Sequence, residues 1–281
     1  MNAPPLIAGS SQAASSLPAA PGRSSGASRS GGASESIGRR AILLAACTAL
    51  AVGLSAPTAQ AIELETAAAI NPSFSPDRLG AKAAFSFTVH FTGGELGVPS
   101  PVRRAIVHLP PGLSMNIPHL SSCTKARLQA RGASGCPARS LIGTGHALAD
   151  VHAGAGVESE EATVWAFLGP PQGLNPTIEI LGQGYTPLDE RVVITATVLP
   201  DHPPYGEELV MSIPAIPSIP YEPNASTVSF ALTVGGARFR KHSPNTVLLP
   251  THCPAGGFPF ETEFTYEDGS TSTTKAAVPC P

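Results

Sequence analysis

Charge is scarce in this sequence. Asp, Glu, Lys and Arg make up 13% of the 281 residues, about half the usual share. With 17 basic against 20 acidic side chains, there is no polybasic surface to grip a nucleic-acid backbone, and a charge-rich disordered chain is excluded too. Aromatic residues are few, at 5%, and Trp165 is the single tryptophan. Recognisable catalytic motifs are missing: there is no Gly-x-Ser-x-Gly elbow, no His-Glu-x-x-His and no phosphate loop. A long apolar run is missing as well. The best candidate, Ala41 to Leu54, is 14 residues rich in Ala and Gly, whereas a spanning helix needs about 20 mostly apolar residues.

What the chain has in quantity is proline and glycine, 30 and 28 residues, together about a fifth of the whole. That excess excludes a helical bundle. Residues 1–38 are almost entirely Ser, Ala, Gly and Pro and cannot bury enough surface to offset backbone ordering, so they read as a disordered N-region. Residues 39–61 then follow the order of a secretory signal: Arg39-Arg40, the apolar segment, and the small-x-small triplet Ala59-Gln60-Ala61, with cleavage expected after Ala61. The paired arginines ahead of Ala41-Ile42-Leu43 look like a twin-arginine leader, which exports folded cargo. Leu44-Ala45-Ala46-Cys47 resembles a lipidation box. Six residues between Arg40 and Cys47 are too few for the apolar segment that precedes such a cleavage, and Cys47 reads as part of the apolar core. The expected product is a mildly acidic mature chain, residues 62–281. It is exported to the cell envelope or beyond, with no membrane span left after cleavage and no affinity for nucleic acid.

Period-two alternation runs through this mature region. Phe85, Phe87, Val89 and Phe91 share a face. So do Ala105, Val107 and Leu109, opposite Arg104 and His108. Val192, Ile194, Ala196 and Val198 oppose Thr195 and Thr197. Val228, Phe230, Leu232 and Val234 oppose Thr227, Ser229 and Thr233. Phe258, Phe260, Phe264 and Tyr266 run into Glu267-Asp268-Gly269-Ser270, where Asp-Gly signals a hairpin back through Thr271 to Val278. Thr163 to Leu168 is apolar on both sides and reads as a central strand. Breakers such as Leu109-Pro110-Pro111-Gly112 and His202-Pro203-Pro204 punctuate the pattern. The expectation is an all-β antiparallel sandwich with one short helix over Ser122 to Gly132, capped by Ser121 or Ser122. It is either one large sandwich or two Ig-like ones, 62–155 and 156–281, meeting in the Gly/Ala/Glu-rich stretch Val151 to Glu160.

With Cys47 in the leader, Cys123, Cys136, Cys253 and Cys280 remain, an even number in an exported chain and the basis for two disulfides. Three pairings are possible. Local closure favours Cys123–Cys136 and Cys253–Cys280. No Cys-x-x-Cys pair supports zinc instead. Leu109-Pro110-Pro111-Gly112-Leu113, Cys123, and Gly135-Cys136-Pro137-x-x-Ser140-x-Ile142-Gly143-x-Gly145 together resemble a pattern in exported proteins of high-GC actinobacteria. The resemblance implies export, β-structure and the first disulfide, and brings no activity with it.

The sequence's candidate metal set is His146, Asp150 and His152, which share one face if their segment is a strand. The same spacing suits a polar solvent face over Ala147, Ala149 and Val151, and no metal or cofactor is expected. Glu158, Glu160 and Glu161 read as a solvated charge run. Ile213-Pro214, Ile216-Pro217, Ile219-Pro220 and Glu222-Pro223 repeat with the period of a polyproline II helix, a docking ridge or an extended connector whose isoleucines pack inward, with the connector favoured. The functional expectation is a non-enzymatic binding or structural module of unknown partner, such as an envelope component or a protein. The alternative is a secreted hydrolase or its carbohydrate-binding accessory domain.

Overall fold

The computed structural model describes residues 65–281, except 95–96, 116, 118–119, 155 and 236–246. Arg39, Arg40, Cys47, Ala59 and Ala61, the residues of the expected leader, lie outside the described residues.

Strands dominate: β1 (Ala67–Ser75), β2 (Lys82–Thr92), β3 (Val102–Leu109), β4 (Ser114–Met115), β5 (Leu141–Ala153), β6 (Gly156–Leu168), β7 (Thr177–Gln183), β8 (Arg191–Pro200), β9 (Glu207–Ser212), β10 (Ser226–Val234), β11 (Val247–Leu248), β12 (Phe258–Tyr266) and β13 (Thr271–Val278), with one helix, α1 (Lys125–Arg131). All pairings are antiparallel. They join into a single sheet in the order β13-β12-β3-β9-β8-β7-β6-β5-β10-β2, with β1 on the far side of β2 and the short β11 and β4 following on. The sheet doubles back so that β1 runs beside β13. Its two halves face each other across one core, to which β1, β3, β5, β6, β7, β8, β10 and β12 all contribute buried side chains. The protein is an all-β sandwich made from one continuous sheet.

The described residues form one unit. The two-sandwich alternative put a break at Val151 to Glu160, but that stretch is the tip of the β5–β6 hairpin, with Ala153 paired to Gly156. Its Gly and Ala content serves a turn. Moreover, β5 pairs with both β6 and β10, so no division at residue 155 leaves an intact sheet on either side.

Strand faces follow the alternation, with one departure. On β10, Phe230, Leu232 and Val234 point inward as expected, but Thr227 joins them in place of Val228. The register against β5 slips between Thr227 and Ser229. A bulge of one residue there exchanges the faces on either side of it.

On the outer face, α1 covers β6, β7 and β8, packing Leu128 and Cys123 against Phe167, Leu181 and Val193, with Trp165 partly buried at the same place. β6 is therefore covered on both sides, which is why Thr163 to Leu168 is apolar throughout. The helix starts later than the sequence suggests. Thr124, not Ser121 or Ser122, is the cap, its Oγ1 accepting from Arg127 N at 3.3 Å. Cys123 is tied to the sheet by its own N–H, which donates to Leu168 O at 2.8 Å, and to the chain beyond α1 by the bond to Cys136. Gly132 ends the helix as expected, at φ +62°.

Both disulfides join the locally closing pairs. Cys123 and Cys136 have Cα atoms 5.5 Å apart and Cys253 and Cys280 6.0 Å apart. The second is reached because Gly256 and Gly257 adopt φ of +89° and +94°, which turns the chain back toward the β12–β13 hairpin.

Candidate functional site: an apolar cavity inside the sandwich

Nine strands put apolar side chains into a space they do not fill, the short β4 and β11 adding Met115 and Val247. Phe85, Phe87, Val89 and Phe91 of β2 line one wall with Phe230, Leu232 and Val234 of β10. The opposite wall is Ala105 and Val107 of β3, Ile178 and Ile180 of β7, Ile194 and Ala196 of β8, and Leu209 and Met211 of β9, while Phe264 of β12 also contributes. The cavity measures about 190 Å³. Several inward residues, including Phe85, Phe87, Ile194, Leu209, Met211, Phe230 and Leu232, are only partly buried although they point at the core. They face the empty space.

The magnitude is informative. Protein interiors pack to the density of organic crystals, and an unfilled volume forfeits about 24 cal/mol per Å³. A sealed void of 190 Å³ would forfeit on the order of 5 kcal/mol, comparable with the whole stability of a marginal domain; this space is partly open, so that figure is an upper bound. A dry apolar cavity of about 150 Å³ is already large enough to take up benzene.

The polar exceptions in the wall are Ser114, Thr227 and Glu207. Glu207 opens β9, where 207, 209 and 211 alternate inward. Burial pushes its carboxyl pKa up, with no other cause. Its neighbour Glu208 points to the opposite face of the sheet.

On that outer face a second cluster forms. His108 Nδ1 lies 2.7 Å from Asp201 Oδ2 and 4.0 Å from Glu208 Oε2, and the ring is tilted against Tyr205. His108 Nε2 is buried with no hydrogen-bond partner, and Glu263 Oε1 stands 3.6 Å away. Tyr205 Oη donates to Glu261 Oε2, which also holds Lys275 Nζ at 2.9 Å. Burial, with those neighbouring acids, pushes the Tyr205 phenol up to about 12, whereas its hydrogen bond holds Glu261 below the usual carboxylate range. One atom each of His108, Asp201 and Glu208 fall within 4.8 Å of one another, the one such group among the described residues. An imidazole with two carboxylates suits a borderline divalent cation such as Zn²⁺.

The set named from sequence does not assemble. His146, Asp150 and His152 do share one face of β5, but residues four apart in a strand are separated by about 13 Å. His146 is exposed and Asp150 accepts from Ser159 Oγ at 2.9 Å. The His152 N–H donates to Ser218 Oγ at 3.3 Å. Glu160 is not part of a solvated run. It is buried in β6, and its two carboxylate oxygens accept from Thr186 N and Leu188 N, clamping the β7–β8 loop. Residues 213–225 form the connector, with Ile213 packed on the core, Ala225 N donating to Ile216 O, and Ile219 and Tyr221 exposed. Trp165 is partly buried beneath α1, which removes the one tryptophan from any exposed sugar-stacking surface, while Tyr185 is exposed.

Sequence reading missed both the cavity and the His108 cluster. The inward rows were visible, but the space between them depends on how far the sheet curls. His108, Asp201, Glu208 and Glu263 come from four separate segments that only sheet order brings together. No family model, no curated protein and no solved structure matches the chain. Among the described residues no helix is long and apolar enough to cross a membrane.

Proposed function

We propose that this is an exported, non-enzymatic binding protein that holds the apolar part of a small molecule inside its sandwich, in the cell envelope or outside the cell. The observation that carries the reading is the 190 Å³ cavity with almost wholly apolar walls, retained at a cost that packing could have removed. Two disulfides support an oxidising destination, as does the leader-like order of residues 39–61. The unfilled interior favours a ligand over a purely structural role, since a structural module gains nothing from an empty core.

The test fills the cavity. Leu209 on β9 and Leu232 on β10 are separated by four strands along the sheet and both line the space. The double variant Leu209→Phe/Leu232→Phe is expected to keep or gain stability, because the added rings enter free volume rather than a packed core, where extra carbons cost about 1–3 kcal/mol. Wild-type protein is expected to bind a neutral, environment-sensitive naphthalene probe, read as enhanced fluorescence. The double variant is expected to lose about tenfold or more in affinity. Equal probe binding by a folded double variant would place the probe elsewhere and remove the support for this reading.

A further inference from the structure

The cavity has one ionisable side chain in its wall, and its position selects the head group of the ligand. Glu207 sits at one end of the space, beside the Pro110–Leu113 turn: the preceding residue, Gly206, donates its N–H to Leu109 O at 3.0 Å and lies against Pro111. The other acids of this region face away. Asp201 and Glu208 converge on His108 on the outer surface, and Glu261 and Glu263 lie on the outward side of β12 facing the same cluster. No described residue gives the half-buried Glu207 side chain a hydrogen bond or an ion pair. An acid in an apolar wall with no donor is unfavourable in its charged form, and the direction of its pKa agrees.

From the unpaired carboxyl group at the end of the apolar cavity we infer that the ligand is a cationic amphiphile, its alkyl or aryl part in the cavity and an ammonium group on Glu207. This rests on the reading of the cavity as a ligand site. A ligand cation supplies the missing partner, and charge-assisted hydrogen bonds are roughly twice as strong as neutral ones. A neutral alcohol makes the weaker bond. A fatty carboxylate places two like charges together at an apolar wall, which forces one of them to protonate. The site therefore ranks head groups ammonium, then hydroxyl, then carboxylate.

The experiment titrates the full chain, disulfides intact, with octylamine, octanol and octanoate at neutral pH by calorimetry, and repeats it with Glu207→Gln. Octylamine is expected to bind about tenfold tighter than octanol, with octanoate the weakest. In Glu207→Gln the amine is expected to fall to the level of the alcohol while the alcohol stays unchanged. Equal binding of all three by the wild type, octanoate binding best, or an amine preference that survives Glu207→Gln would each overturn the head-group assignment and leave the cavity reading standing. If none of the three binds and the naphthalene probe does not bind either, the cavity reading fails and the assignment falls with it. The wild-type ranking decides the matter on its own should Glu207→Gln not fold.

Discussion

Gly145→Val is expected to yield no folded protein, whereas Gly182→Ala is expected to be neutral or slightly stabilising. Gly145 lies in β5 where β10 passes very close. A Cβ built at Gly145 meets the backbone of Ala231 and Leu232, with Ala231 C at 2.8 Å and Leu232 Cα at 2.9 Å, and meets Ala231 O closer still. These are main-chain atoms of a paired strand, so they cannot swing aside as the tip of a side chain could. Moving them means breaking the β5–β10 ladder, which joins the two halves of the sheet. Losses above about 4–5 kcal/mol are exceptional for one substitution and mark a broken structural element. Here the loss is a large part of a total that is typically 5–15 kcal/mol. Gly182 in β7 has open space at its Cβ position, and an alanine there restricts the unfolded chain at no native cost. Circular dichroism and urea titration of both variants check the pair. A folded Gly145→Val of near wild-type stability would mean that β5 and β10 are not in the described register.

Reducing both disulfides is expected to lower the melting temperature by roughly 15–25 °C. The bonds close loops with sequence separations of 13 and 27. On the loop-entropy account they contribute about 3 and about 3.5 kcal/mol. Their places in the fold make the loss more than local. Cys123–Cys136 holds the segment around α1, the helix that buries Leu128, Phe167 and Leu181 on the outer face. Cys253–Cys280 ties the end of the chain, next to the edge strand β13, to the Pro- and Gly-rich segment before β12. Scanning calorimetry with and without a phosphine reductant measures the combined effect, and the Cys123→Ser/Cys136→Ser and Cys253→Ser/Cys280→Ser pairs separate it. A shift of only a few degrees would show that the sheet holds without them.

Much of the fold was legible because strand faces obey a period fixed by backbone geometry. The rows Phe85 to Phe91, Ala105 to Leu109 and Ile194 to Val198 all point as alternation demands. The disulfide pairing followed from loop length. Three readings went astray for different reasons. The β10 bulge exchanged Val228 for Thr227 because one extra residue leaves no mark in composition. The start of α1 moved to Thr124 because a tertiary hydrogen bond at Cys123 outweighed the nearer serines. The proposed break near residue 155 was a hairpin tip, and glycine serves both purposes. For the site, local spacing was misleading: His146, Asp150 and His152 are neighbours in sequence yet spread along a strand. His108 and Asp201 are 93 residues apart and touch. A cavity is harder still to foresee, since it is defined by atoms that are absent.

The central claim is that the sandwich interior is a ligand chamber. The most direct measurement is native mass spectrometry of the chain purified without denaturation, before and after organic extraction, with the melting temperature taken on both samples. The account predicts a non-covalent adduct of small-molecule mass that extraction removes, together with a lower melting temperature in the extracted protein. A bare polypeptide mass, an unchanged melting temperature and no uptake of the naphthalene probe would together contradict it.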